Sequence, residues 1–557
     1  MILSNTDAIA DHSTTGVWGN ITLDMLFRRA AQKHPNRLAL VDAPDREKWT
    51  GGKPRRLTYA QAEQEISRIA GFLAAVGMEP DHILGLQSPN TVDSVLCILG
   101  ALRAGVIISP FPLHWRHSEI LRALSTVDAK ALITADRIES RMLGEEARDA
   151  AADFFSLRFV FGLGQDIPDG LIDMAPMLAE GADAFPEPII EREGAPANHI
   201  ATLTWTHSGT EISPIPRSHN HWVSTGLMPF LETRLEPGAR ILLPYILCGI
   251  TGIGAGLVPW LLSEGTLHLH HPHALSTLTD HARSIEANYI LTPGPLASHL
   301  DGALEGWNTN TVATWSVTSP KPANYRAKGV VTDLHVLDEY ALVAHLRGHS
   351  EEPVPLIPGN QFAPSTSTHG PCLINIEPIE INEEISEVSS QKESRFHLRL
   401  NGAMVPDADW PSAAPHLSLF SQGDPEQGLI TQIPVGVNQV TGAIHDFGTP
   451  GQRAPGLLEL EHLDEIYSEF SGVKEAAAFL VEDELMGARL MVAVVPSEGL
   501  LVDVEAFYAY LDASRVSLTM MPHRILSLRA MPMTEDGSVD RQKLTRRSQP
   551  KSAEAVA

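Results

Sequence analysis

Residues 57–112 read LTYAQAEQEISRIAGFLAAVGMEPDHILGLQSPNTVDSVLCILGALRAGVIISPFP, and their patterning decides the fold class. Thr58 stands as an N-cap ahead of a long amphipathic helix that runs through Val76, because a threonine hydroxyl accepts from a backbone N–H that a helix start leaves without an internal partner. Ile83, Leu84, Gly85 and Leu86 then form a short apolar run of the kind a strand covered on both faces carries. A second helix fills Thr91 to Ala104, and Val106 to Pro110 is another buried strand.

The same alternation continues on either side. A helix from Leu23 leads into the strand Leu38 to Val41, and Ala131 to Thr134 is a further short apolar run between helical segments. Helices alternating with short buried strands predict an α/β protein built on a mostly parallel sheet. At 557 residues the chain exceeds what one core can hold. Beyond about Ser350 prolines multiply and short alternating segments such as Phe396 to Leu400 appear, which predicts a β-rich subdomain over about 350–449. The breaker cluster from Pro450 to Gly456 reads as a linker. It divides a large N-terminal domain, 1–449, from a small C-terminal α+β domain, 456–557, with a stiff, proline-bearing hinge between them.

Composition narrows the partners. Sixty-eight acidic against 41 basic residues give a formal charge of -27, which repels a phosphate backbone and an anionic membrane surface, so neither nucleic acid nor membrane is expected. Cys97, Cys248 and Cys372 lie far apart with no C-x-x-C spacing, so no disulfide framework and no structural zinc is expected and a reducing, cytoplasmic setting suits the chain. The uncharged stretch from Ile241 to Ser263 is long enough to span a bilayer, but Pro244, Pro259 and four glycines interrupt it, and it reads as a buried core helix with its lead-in strand. The acidic run from Ile374 to Ser386 reads as a solvated sheet face, and the histidines from His268 to His273 as surface or strand-edge side chains; no metal is assigned to either.

From about Ile21 to Leu544 the chain resembles the acyl-adenylate-forming superfamily of acyl-CoA synthetases, luciferases and nonribosomal-peptide adenylation domains, beginning with the 57–112 stretch. Within it, IPRSHNHW at 215–222, VEDELMGARL at 481–490 and PHRILSLRAMPMTEDGSVDRQKL at 522–544 resemble the stand-alone aryl-acid ligases that form dihydroxybenzoate-AMP and salicylate-AMP for siderophores. The resemblance implies the acyl-adenylate-forming enzyme fold, with a carrier protein or CoA thioester as partner in a monomer or homodimer.

The family's ATP-binding positions are altered. Where its phosphate loop has a lysine and flexible glycines, this chain has Ser208-Gly209-Thr210-Glu211-Ile212-Ser213-Pro214, with no lysine. Glu211 would face the phosphates, and two like charges about 4 Å apart at an effective dielectric near 20 repel by roughly 4 kcal/mol. Thr318-Ser319-Pro320 falls at the adenine-contacting segment, and Ala341 at the Mg²⁺-binding glutamate, with Asp338 and Glu339 close by. Pro434 falls at the ribose-binding aspartate, with Gly423-Asp424 as a second candidate for that role; Gly448-Thr449 replaces the Gly-Arg pair near the hinge, and Ser538 the C-terminal catalytic lysine. Binding of ATP with Mg²⁺ is therefore not expected, and no cofactor is assigned.

The same pocket offers groups for other chemistry. The sequence predicts a cavity lined by Trp205, His207, His221, Cys248 and Tyr340, with Ser208, Thr210 and Gly249 at its wall. Cys248 is the candidate nucleophile and His207 and His221 the candidate bases for acyl transfer. The favoured reading is an acyl- or aryl-transferring protein of secondary-metabolite biosynthesis that works without ATP. Its alternatives are a non-catalytic partner of an assembly line and a working aryl-acid AMP ligase with displaced motifs.

Overall fold

The structure is a computed structural model that describes the chain apart from residues 180–184, 209–210, 317–326, 349–351, 368–369, 381–395, 421–426, 432–434, 447–459, 484–486, 498–501, 535–536 and 549–557. The quoted stretch folds as its pattern requires. Arg56–Thr58 is a strand, and Thr58 caps the helix Tyr59–Ala75 through a reciprocal pair in which Gln61 returns the bond to the Thr58 backbone N–H. Ile83–Gln87 is buried along its whole length, as is the helix Val92–Arg103. These two helices pack so closely that a side chain at Gly100 would meet Ile69 Cγ2 at 2.5 Å, which leaves only glycine room there.

Two large sheets flank a shared core. One has seven strands, with Ile83–Gln87, Ile107–Pro110, Ala131–Ala135 and Phe159–Leu163 parallel in its interior and the antiparallel hairpin Ile200–Ser208 with Glu211–Ser218 at its edge. The other has eight, parallel from Leu38–Val41 through Thr266–Leu269, Arg240–Leu243, Tyr289–Pro293 and Asn310–Ser316 to Val330–Leu337, with Arg56–Thr58 and Ala341–Leu346 antiparallel at its two edges. The 241–263 stretch is strand Arg240–Leu243, then helical turns from Ile250 to Ser263, nearly all buried in this core. Among the described residues no helix is long and apolar enough to cross a membrane.

A third sheet of six strands lies between Gly359 and Asp446. In its strand Cys372–Glu380 Ile374 and Ile376 are buried while Glu377 faces outward to Arg399 at 2.9 Å, so this part of the acidic run is a solvated face; 381–386 lies outside the described residues. The C-terminal part is smaller, with Val473–Asp483, Gly487–Pro496 and Arg524–Ser527 in one sheet and the helices Leu460–Ser468, Val504–Ala513 and Arg541–Ser548. The linker expected at 450–456 lies outside the described residues.

The histidine run departs from expectation only in part. His273 is exposed and His271 half-buried, but His268, in the interior strand Thr266–Leu269, and His270, just after it, are buried. His270 Nδ1 lies 3.1 Å from Nδ1 of the buried His281, so one ring donates and the other accepts. Burial lowers His268 to about 3 and His270 and His281 to about 4, which keeps all three neutral. Among the described residues no cluster of His, Cys, Asp or Glu is arranged to hold a metal ion.

The hairpin Val330–Leu337 with Ala341–Leu346 is anchored by an enclosed ion pair between Asp333 and Arg347, whose side chains are both 0% exposed. Asp333 also accepts from Trp315 Nε1 at 2.8 Å and from the Val354 N–H at 2.9 Å. Removing one partner leaves an uncompensated buried charge, so Arg347→Leu should destabilise the fold by about 3–5 kcal/mol, read as a lowered midpoint in urea denaturation, whereas Arg399→Leu at the exposed pair should leave it nearly unchanged.

Candidate functional site

Two edge hairpins bring the candidate residues together. In Ile200–Ser208 successive side chains point to opposite faces of the sheet. Trp205 therefore faces one way, into Trp115 at 5.7 Å between ring centres, with its Nε1–H donated to Ser109 Oγ at 3.0 Å. Thr206 faces the other way and donates to Asp338 Oδ2 at 2.6 Å. Asp338 sits in the three-residue turn between Val330–Leu337 and Ala341–Leu346 at a φ of 51°, a left-handed conformation that aspartate tolerates better than most residues.

Arg217, 0% exposed, ties the hairpins together. Its guanidinium donates to the carbonyls of Glu339 and of Tyr340, the latter at 3.0 Å, and lies 5.1 Å over the Trp222 ring. Glu339 reaches in the opposite direction, where Oε2 accepts from the Ile250 N–H at 2.8 Å. A Cβ on Gly249 would stand 2.4 Å from Glu339 Oε1, so glycine at 249 is what lets the carboxyl approach the backbone. Cys248, Gly249, Thr206, Asp338, Glu339 and Tyr340 thus form one neighbourhood.

Its electrostatics favour neutral groups. Burial raises the Glu339 carboxyl to about 8, against the opposing pull of Arg217, and Asp338 is raised by burial as well. Burial and the nearby Glu339 push the Cys248 thiol up to about 12, so near neutral pH it carries its proton and lacks the thiolate a nucleophile needs. Burial raises Tyr340 too. Arg217 is lowered to about 10 by burial and remains charged at neutral pH.

The single pocket expected from the sequence is therefore divided. Trp205 belongs to the aromatic cluster on the far face of its strand. His221 lies elsewhere: it lines a cavity of about 360 Å³ between the N-terminal helix Thr6–Thr14 and residues 400–407. The Ser218 N–H donates to His221 Nδ1 at 3.1 Å, which places the ring proton on Nε2, 3.6 Å from Asp407 Oδ1. With its acceptor nitrogen occupied and burial holding it near 3, His221 has no free lone pair for Cys248.

Of the altered nucleotide positions, Glu211 is exposed at the end of its hairpin, opposite Ser208. Ala341 is buried in a strand and offers no oxygen. Ser538 is exposed, with its hydroxyl 2.7 Å from that of Thr534 in the turn containing Gly537. Thr210, Thr318, Ser319, Pro320, Asp424, Pro434, Gly448 and Thr449 lie outside the described residues, as do the side chains of His207 and Ser208. The link from Thr206 to Asp338 was missed from sequence, although strand alternation after Trp205 would have pointed to it.

The sequence profile described as AMP-binding enzyme matches residues 27–297. The chain is similar to a salicyl-AMP ligase / salicyl-S-ArCP synthetase of Mycobacterium tuberculosis, 25% identical over 97% of this chain and 93% of that protein. It is also similar to a 2-hydroxy-7-methoxy-5-methyl-1-naphthoate–CoA ligase of Streptomyces carzinostaticus, 21% identical over 97% and 95%. Among solved structures, apo MbtA of Mycobacterium smegmatis superposes with a TM-score of 0.63 at 18% identity, covering 98% of both chains. The amide bond synthetase McbA of Marinactinospora thermotolerans superposes with a TM-score of 0.68 at 17% identity, covering 94% of this chain and all of that one. These superpositions establish the adenylate-forming fold, with its large N-terminal and smaller C-terminal domains.

The Glu339 carboxyl sets a pH dependence with a definite sign. Its pKa is about 8 when folded and in the ordinary carboxylate range when unfolded. Between those values the folded state holds a proton that the unfolded state has released, so its stabilising contribution is complete below the unfolded pKa and is lost as pH rises through about 8. Glu339→Gln keeps an oxygen for the Ile250 N–H and removes the titration. Thermal unfolding of the variant should fall less steeply than the parent's between pH 5 and about 8.5.

Proposed function

We propose that this chain, which belongs to the AMP-binding enzyme family over residues 27–297, holds an aryl or acyl group delivered as a carrier-protein or CoA thioester and transfers it without adenylation. The observation that carries this reading is the charge at the positions where the family handles Mg·ATP. Glu211 is exposed on the loop hairpin, Ala341 and Ser538 supply neither a metal ligand nor a cation, and Arg217 is enclosed against the backbone of Glu339 and Tyr340. A polyphosphate needs positive charge and a metal-binding carboxylate, and the described residues at these positions fit it poorly.

A thioester makes different demands. Its reacting carbonyl is uncharged, and a carboxyl poised near neutral pH can give and take a proton as an acceptor attacks and the thiol leaves. Glu339, at about 8 and beside the half-buried Cys248 and Gly249, has that character. In this reading Glu339 is the acid–base group, and the high thiol pKa of Cys248 argues for direct transfer over a covalent intermediate on that sulfur. A carrier-protein partner is supported by the Mycobacterium tuberculosis relative, whose name includes salicyl-S-ArCP synthetase.

A working aryl-acid AMP ligase is the second reading, favoured by the match to that relative along nearly its full length and by Glu339 lying two residues from the expected metal-binding position. One set of assays decides. Incubation with salicylate, ATP and Mg²⁺ should release no pyrophosphate, and calorimetry should detect no ATP binding at millimolar concentration. Salicylate-dependent pyrophosphate release would overturn the proposal and establish the ligase. With an aryl thioester of carrier protein and an amine acceptor, Glu339→Gln should lower turnover by about a hundredfold, while Cys248→Ala should retain it. Carrier binding without turnover would identify a non-catalytic partner.

A further inference from the structure

A cavity of about 420 Å³ lies apart from Cys248 and Glu339, between the middle of the helix Tyr59–Ala75, the segment 52–55 and residues 163–165 and 174–179. Four cations line it, Arg46, Lys53, Arg55 and Arg68, with the carboxylates Glu65 and Asp93. Asp42 lies behind, bound to Arg46.

Every one of these carboxylate oxygens is already engaged. Both oxygens of Glu65 accept from Arg55 Nη2 at 2.6 Å. Asp93 takes Arg46 on one oxygen and Arg55 on the other. Asp42 accepts the Val92 N–H at 2.7 Å on Oδ1, and Arg46 at 2.6 Å and the Arg55 N–H at 2.8 Å on Oδ2. Arg68 stands three residues after Glu65 on the same helix, the spacing at which the two would ordinarily pair, but Arg55 already holds that carboxylate. Among the described residues, Arg68 and the exposed Lys53 have no counter-ion, and the enclosed Arg68 Nε has no acceptor.

Arg68 and Lys53 thus bring positive charge to the cavity without a direct carboxylate partner among the described residues. Leu163 and Leu178, both half-buried, form an apolar wall to the same cavity. We propose that this cavity is a binding site for a small phosphomonoester that carries an apolar group: its dianionic head is held by Arg68 and Lys53, and its hydrocarbon part lies against Leu163 and Leu178. The four cations outnumber the three carboxylates Glu65, Asp93 and Asp42, and guanidinium geometry suits phosphate oxygens. The site is independent of the proposed transfer chemistry, and its test uses no turnover.

Hexyl phosphate, hexanoate and inorganic phosphate are each titrated into the full chain by calorimetry. Saturable binding of hexyl phosphate, tighter than either of the others and weakening as salt is added, is the expected result. Arg68→Ala should weaken it about tenfold or more and Lys53→Glu by a similar factor. Lys53 is exposed and its variant should fold normally, so the result stands even if Arg68→Ala is destabilised. No saturable binding, equal affinity for hexanoate, or unchanged affinity in Lys53→Glu would overturn the proposal.

Discussion

The candidate site depends on one buried cation. Arg217 belongs to the edge hairpin of the seven-stranded sheet, while the carbonyls it binds, those of Glu339 and Tyr340, belong to the turn of an edge hairpin in the eight-stranded sheet. An enclosed guanidinium needs its charge answered nearby. Nη2 donates to both backbone carbonyls, and the Trp222 ring, Asp338 and Glu339 lie beside the charge, while Nε and Nη1 have no acceptor among the described residues. That requirement fixes the turn against the hairpin, and the fixed turn in turn presents the Asp338 carboxyl to Thr206 and that of Glu339 to the backbone at Ile250.

Much of the architecture around this link was legible in the sequence because it rests on local rules. Thr58 caps a helix wherever its hydroxyl meets a free N–H, and the apolar run Ile83 to Leu86 can hardly be other than a covered strand. What failed was the neighbourhood of side chains. Trp205 and Tyr340 were assigned one pocket because both align near the family's active site, yet the period of two along a strand sends Trp205 to the face opposite Thr206. His268 and His270 misled for a related reason. A histidine run reads as polar and hence peripheral, but position within the sheet decides burial, and an interior strand encloses its imidazoles whatever their polarity.

His221 shows the limit more sharply. The sequence makes it a candidate base, but with His219 and Asn220 it begins a helix. There His221 is the N3 residue of a capping arrangement with Ser218, and the hydrogen bond that starts the helix consumes the nitrogen that catalysis would have used. The capping motif was readable from the sequence, with serine followed three residues later by a polar side chain. Its consequence for the tautomer required the geometry.

The charge balance around Arg217 bears on which ligands the site can accept. With Glu339 protonated, the Arg217 cation lies beside the Asp338 carboxyl, which burial also raises. Bringing a polyanion to such a place adds negative charge near Asp338 and, on the hairpin end, near the exposed Glu211, with the arginine already committed to two carbonyls. Deprotonating Glu339 to bind a cation would first have to overcome the burial that raised it. A neutral acyl group meets neither obstacle, because its carbonyl needs hydrogen-bond donors rather than net charge, and a protonated carboxyl at Glu339 is such a donor. In the proposed reading, the burial that disfavours a metal-binding carboxylate here is the same property that would equip Glu339 for proton transfer to an uncharged ester or thioester.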